Sequence, residues 1–117
     1  MGFRRSNYPS IDPFALETWM KDGQPLVILD VREDQELRLA RLTDERVVHV
    51  PVSRLAYEGL PAQMNDPHQR LVVMCHMGSR SAQVTAWLCA QGWDQTYNLS
   101  GGIDAYARMV DISVGIY

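Results

Sequence analysis

Short strand-like runs alternate with stretches patterned for helices along this chain. That alternation limits the fold more than any other feature. Residues 26–30, 47–50, 71–75 and 96–99 are four or five residues long, the length of a buried strand and too short for a stable helix. Helix patterns fall between them. Ser10 and Asp12 are candidate N-caps for a helix that opens at Pro13, and Gly23 can end it. Residues 33–42 carry Leu37, Ala40 and Leu42 on one face, and Ser53 can cap a helical stretch through Tyr57. Residues 61–65 add a turn. Residues 80–91 form the clearest helix, with Ala82, Val84, Trp87 and Leu88 turned inward and Gly92 as its stop. Gly101 and Gly102 then lead into a last helix over 103–109. Buried strands separated by helices predict the α/β class, with a central parallel β-sheet flanked by helices on both faces. In such sheets, sites form where strands end and helices begin.

The 117 residues suit one domain, read as a short lead-in over residues 1–10 and a single domain over 11–117. The eleven Lys and Arg residues are spread along a chain of net charge −3, so no basic face for nucleic acid is expected. The apolar runs are too short to span a membrane. Two cysteines, Cys75 and Cys89, are too few for a disulfide scaffold, and a reducing, cytoplasmic setting is expected. His49 and His68 have no neighbours that complete a metal set; neither a metal nor a cofactor is predicted, and the size suits a monomer. Met1-Gly2-Phe3-Arg4-Arg5-Ser6 fits the loose N-myristoylation pattern at Gly2, read here as part of the lead-in. Trp19, Trp87 and Trp93 read as core or pocket lining.

The segment Val73-Met74-Cys75-His76-Met77-Gly78-Ser79-Arg80-Ser81-Ala82 carries the chemistry. A strand delivers Cys75 to its carboxyl end, and a helix begins four residues further on. Gly78 frees the loop to take φ > 0, so that successive backbone N–H groups can converge on one point as an anion-binding nest. The helix N-terminus adds unpaired N–H groups and the positive end of a dipole. This cradle favours a thiolate, the nucleophilic form of cysteine. Arg80 adds a permanent charge whose planar fork can hold an oxyanion in two places.

Three segments resemble the signatures of a single-domain rhodanese (sulfurtransferase): Asp30-Val31-Arg32-Glu33, Cys75-His76-Met77-Gly78-Ser79-Arg80-Ser81, and Asn98-Leu99-Ser100-Gly101-Gly102-Ile103. The resemblance runs from about Ile11 to Tyr117. It implies a rhodanese-like parallel sheet flanked by helices. It also implies a cysteine that takes a sulfane sulfur from a small donor such as thiosulfate, becomes a persulfide, and passes the sulfur to a thiol, cyanide or protein acceptor. By match to the motif, Cys75 is the sulfur carrier, and His76, Met77, Gly78, Ser79 and Arg80 form the substrate cradle. Asp30, Arg32 and Ser81 take supporting positions, and Glu36 matches an acidic residue that follows the Asp-Val-Arg signature. Where the family often has Gly-His-Ile, this chain has Ala40-Arg41-Leu42, and Arg80 is the only permanent cation of the loop.

The remaining residues read as structural. Cys89 is expected to fill the core, Asp30 to support the loop, and Arg32 to pair with Glu33 or Glu36. Gly101 and Gly102 read as a tight turn rather than a phosphate site, since no G-x-G-x-x-G surrounds them. Two other functions compete with sulfur transfer. A cysteine-dependent phosphatase or arsenate reductase also uses a thiolate in an N–H cradle, but with five residues between cysteine and arginine; here Cys75 and Arg80 enclose four. A non-catalytic interaction module on the same fold would have no need of Cys75, Gly78 and Arg80 together.

Overall fold

The computed structural model describes residues 8–117, so the Gly2 acylation pattern lies outside the described residues. The chain forms a five-stranded sheet, every strand pair parallel, from β1 (Ser10–Ile11), β2 (Val27–Asp30), β3 (Val47–His49), β4 (Leu71–Met74) and β5 (Thr96–Leu99). The spatial order is β1-β5-β4-β2-β3. Among the described residues, α1 (Pro13–Lys21), α2 (Val52–Glu58) and α3 (Ser79–Ala90) lie between strands, and α4 (Gly102–Met109) follows β5.

The period-two alternation of the strands sorts their side chains into two cores. Ile28, Val72, Met74 and Leu99 pack with Leu16 of α1 and Ile103 and Tyr106 of α4. Leu29, Leu71, Val73 and Cys75 pack on the other face with Leu55 of α2 and Val84 and Leu88 of α3. The α/β architecture with helices on both faces is therefore as the sequence predicts. Local signals also operate where expected. The Asp12 side chain accepts from the Ala15 N–H at 2.8 Å and caps α1, with Pro13 in the first turn.

Four details differ from the sequence reading. Ser10 and Ile11 form a fifth strand on β5, with Ser10 opposite Asn98, so the sheet begins within the expected lead-in. Two residues are too few to register as a strand pattern. Residues 33–42 form only a 3-10 turn, Asp34–Arg38, because Arg41 N–H is drawn to the Val114 carbonyl and the chain leaves the helical path there. The helix expected from Ser53 starts at Val52 behind Pro51, and the Ser53 hydroxyl instead donates to Glu33 at 2.8 Å. Trp87, expected to face inward, is 45% exposed on α3, while Trp93 is buried in the core.

Two contacts fix how the fold presents the end of β4. The N–H groups of Ile103 and Asp104, at the start of α4, donate to the carbonyls of Cys75 and His76 at 2.9 and 3.0 Å. That approach requires Gly102, at φ +63°; a Cβ there would lie 2.6 Å from the Cys75 carbonyl oxygen and against that of His76. At the end of β2, Arg32 is fully buried and pairs with Asp30, Nη2 to Oδ2 at 2.8 Å. Asp30→Ala should lower the free energy of unfolding by about 3–5 kcal/mol, because it leaves a buried guanidinium unpaired. Gly102→Ala should lower it by about 1–3 kcal/mol, from backbone strain and displacement of the loop. Urea denaturation of both variants checks these values.

Candidate active site

Cys75 follows directly on β4 and is fully buried. Its Sγ accepts from the backbone N–H of Gly78 at 3.1 Å and of Ser81 at 3.3 Å. Gly78 caps α3 at φ +107°, in the left-handed region the turn needs, and a Cβ on it would press 3.2 Å from Gly101 N. The Ser81 hydroxyl lies 3.2 Å from Cys75 Sγ and donates to Asn98 Oδ1 at 2.6 Å. A hydroxyl has one proton, so with that proton on Asn98, Ser81 Oγ is placed to accept from the Cys75 thiol. Asn98 Nδ2 closes the circuit on the Gly78 carbonyl at 3.4 Å. A thiol in an otherwise apolar core is thus held by backbone donors and one buried polar chain.

The charged layer of the site is built around Glu36. Arg80 donates from Nη1 and Nη2 to the two Glu36 oxygens at 2.7 and 2.8 Å. The Tyr117 hydroxyl donates to Glu36 Oε1 at 2.9 Å, and the Glu33 N–H to Oε2 at 2.9 Å. The Arg80 guanidinium, helped by these donors and opposed by burial, holds the Glu36 carboxyl down at about 2 against its usual 4.5. Arg80 is raised in turn, chiefly by its hydrogen bonds to Glu36. Burial, opposed by the Arg32 hydrogen bond, pushes the Tyr117 phenol up.

The residues singled out in the sequence meet at this corner, with different partners from those expected. Arg32 pairs with Asp30 rather than with Glu33 or Glu36. It also donates from Nη1 to the Ala40 carbonyl at 2.8 Å and to Tyr117 Oη at 3.2 Å. Glu33 and Glu36 are taken by Ser53 and Arg80, so the nearest uncommitted carboxylate to Arg32 is the one at the end of its own strand. Asp30 bonds to the 30–32 corner itself, through Arg32 N, Nε and Nη2. His76 stacks on Tyr117 with ring centroids 3.8 Å apart, its Nε2 2.9 Å from the Tyr117 backbone oxygen. Met77 and Ser79 face solvent, and Gly78 is buried.

Cys89 lies toward the other end of α3 from the loop, about 15 Å along the helix axis. It is partly buried, and burial raises its thiol. His49 Nε2 is 2.7 Å from the Arg32 carbonyl, and His68 pairs with Asp94, so both have structural partners. Sequence reasoning missed Tyr117 and Asn98. Tyr117 sits far from every motif in the chain, and no local pattern reports that it lies on the loop. Asn98 had a signal, a polar residue inside a buried strand, which demands a partner.

A family model described as "Rhodanese-like domain" matches residues 13–109. The chain is 36% identical over 90 residues to the chloroplastic Rhodanese-like/PpiC domain-containing protein 12 of Arabidopsis thaliana, covering 77% of this chain and 30% of that protein. It is 32% identical over 113 residues to the tRNA uridine(34) hydroxylase of Xanthomonas axonopodis pv. citri, covering 87% of this chain and 44% of that one. The chain therefore spans less than half the length of these relatives. A protein named Sulfurtransferase from Allochromatium vinosum is 31% identical over 100 residues, covering 84% of this chain and 87% of that protein. The rhodanese-like domain protein of Staphylococcus aureus superposes with a TM-score of 0.70 at 26% identity, over 84% of this chain and 90% of that one. A sheet that delivers Cys75 into a glycine-turned loop, a match over 97 of 117 residues and relatives of this kind lead to one assignment: the chain belongs to the rhodanese-like domain family.

Proposed function

We propose that the protein is a sulfurtransferase that carries a sulfane sulfur on Cys75. The observation that carries this reading is the convergence of the Gly78 and Ser81 N–H groups on Cys75 Sγ, at the floor of the loop between β4 and α3. Two backbone dipoles aimed at one sulfur stabilise negative charge there without any rearrangement during the reaction. In the loading step the Cys75 thiolate attacks the outer sulfur of the donor. The donor's S–S bond breaks, and its remainder leaves with the electron pair. In the unloading step a thiol or cyanide acceptor attacks the terminal sulfur of the persulfide, and Cys75 leaves as thiolate. The same donors then serve the thiolate in both steps. Partners under this reading are a small sulfane donor and a small or protein thiol acceptor.

A phosphatase reading is less well served. Only four residues separate Cys75 from Arg80, and the Arg80 fork is directed at Glu36 rather than toward the sulfur. A tetrahedral oxyanion would need that fork.

Excess thiosulfate or a small persulfide should add about 32 Da, one sulfur, to the wild type, and a thiol reductant should remove it. Cys75→Ser should abolish the addition, and Cys89→Ser should keep it; sulfur transfer that survives in Cys75→Ser would overturn the proposal. Hydrolysis of an aryl phosphate should be negligible, and Cys75-dependent turnover matching the sulfur-transfer rate would promote the phosphatase. The Glu36 carboxyl sets a pH dependence of stability. An acid held at about 2 instead of 4.5 contributes stability that is fully present above pH 4.5 and is lost as the pH falls through about 2. The stability difference between wild type and Glu36→Gln should therefore shrink between pH 4.5 and 2, as measured by thermal unfolding.

A further inference from the structure

We infer that Glu36 sets the donor class of this site: by occupying the Arg80 fork it directs Cys75 to take sulfur from the persulfide of a thiol rather than from thiosulfate. The inference deepens the sulfurtransferase reading and rests on it. Thiosulfate is a dianion whose leaving group is sulfite, so its use calls for a cation facing the loop. Among residues 76–80 only Arg80 is permanently charged. One N–H of each terminal nitrogen goes to a Glu36 oxygen, in the bidentate geometry that makes such pairs strong, so the paired face of the fork is occupied and its charge is offset by the carboxylate. Glu36 is itself fixed by the Tyr117 hydroxyl and the Glu33 N–H, so with Arg80 its carboxylate is held from three sides.

No other group of the loop supplies the missing charge. The His76 ring is stacked on Tyr117 with Nε2 at the Tyr117 backbone oxygen, and Met77 is apolar and 62% exposed. Arg32 is fully buried on Asp30. What remains around Cys75 Sγ is neutral: the Gly78 and Ser81 N–H donors, and the Ser81 hydroxyl, whose proton goes to Asn98. These can serve a thiolate and an added sulfur, but they bring no full positive charge to the dianion of thiosulfate. A thiol persulfide asks for no oxyanion site. The Cys75 thiolate attacks its outer sulfur, which keeps its hydrogen; the S–S bond breaks, the thiol leaves as thiolate with the electron pair, and Cys75 is left as the persulfide. No electrons enter or leave the pair of reactants. Protonation of Glu36 does not release Arg80 in the neutral range, because Arg80 holds that carboxyl at about 2.

The experiment measures kcat/KM for loading of Cys75, followed by intact mass, with sodium thiosulfate and with cysteine persulfide as donors. For the wild type, thiosulfate should be at least tenfold poorer. Glu36→Gln keeps a hydrogen-bond acceptor but removes the charge. It should raise the thiosulfate-to-persulfide ratio by roughly tenfold to a hundredfold, the range of a charge-assisted hydrogen bond. Met77→Arg adds a cation to an exposed loop position without touching the Glu36–Arg80 pair, and it should move the ratio the same way even if Glu36→Gln does not fold. Equal wild-type loading from the two donors would overturn the inference. So would an unchanged ratio in folded Glu36→Gln or in Met77→Arg. Failure of both donors to load Cys75 would instead reject the sulfurtransferase reading itself.

Discussion

Arg32 carries a permanent charge with no exposure to water, and the corner of the molecule that holds the site is arranged around satisfying it. Burying such a group costs several kcal/mol unless every donor finds a partner. Its Nε and Nη2 go to Asp30 at the end of β2, and Nη1 goes to the Ala40 carbonyl and the Tyr117 hydroxyl. One guanidinium therefore ties together a strand end, the segment after the 3-10 turn and the last residue of the chain. Burial alone would lower Arg32, but the hydrogen bonds to Asp30 and Tyr117 outweigh it and raise the group. Tyr117, set in place partly by Arg32, donates to Glu36, and Glu36 binds Arg80 at the start of the helix that follows the cysteine. The electrostatic character of the loop descends from that buried charge.

A second constraint comes from the backbone. The residues Cys75 and His76 follow the last paired residue of β4, and their carbonyls need donors from elsewhere than the sheet. The first N–H groups of α4 are helical orphans that need acceptors. Bringing the two sets together satisfies both and fixes the loop from behind. The approach is close enough that only glycine fits at position 102. Gly101 and Gly102 thus work as the tight turn the sequence suggests, with a tertiary partner that it does not reveal. Two helix N-termini meet the loop from different sides, α3 through Gly78 and Ser81 on the sulfur, α4 through Ile103 and Asp104 on the carbonyls.

The polar chain from Cys75 through Ser81 to Asn98 lies on the face where Leu29, Val73, Val84 and Leu88 form an apolar core. In such surroundings a partly satisfied network is costly, whereas a complete one specifies a single arrangement. Thr85 adds to the order by donating its hydroxyl to the Ser81 carbonyl at 2.7 Å, within α3. The thiol is thereby kept in one position, and nothing in its immediate shell carries a full charge. That neutrality separates the sulfur's own cradle from the paired charges of Arg80 and Glu36 beside it.

The alternation of buried strands and helices was legible because it follows from local periodicity. The strand-to-helix position of Cys75, the turn at Gly78 and the glycine pair at 101–102 follow from covalent chemistry and φ/ψ limits that act over a few residues. The resemblance of three motifs led to the same family that the matched residues 13–109 show. Pairings across the fold were not legible in the same way. Ser10 and Ile11 become a strand only because β5 offers a free edge. Trp87 is exposed although its spacing on α3 suggests an inward face, whereas Trp93 lies in the core. Among the carboxylates near Arg32 in the chain, tertiary packing chose Asp30 by committing Glu33 to Ser53 and Glu36 to Arg80. Tyr117 reaches Glu36 across 81 residues of chain. Local chemistry determined that a thiol would stand just before a helix start; only the three-dimensional packing decided which charges would lie beside it, because partner choice depends on burial and distance rather than on order along the chain.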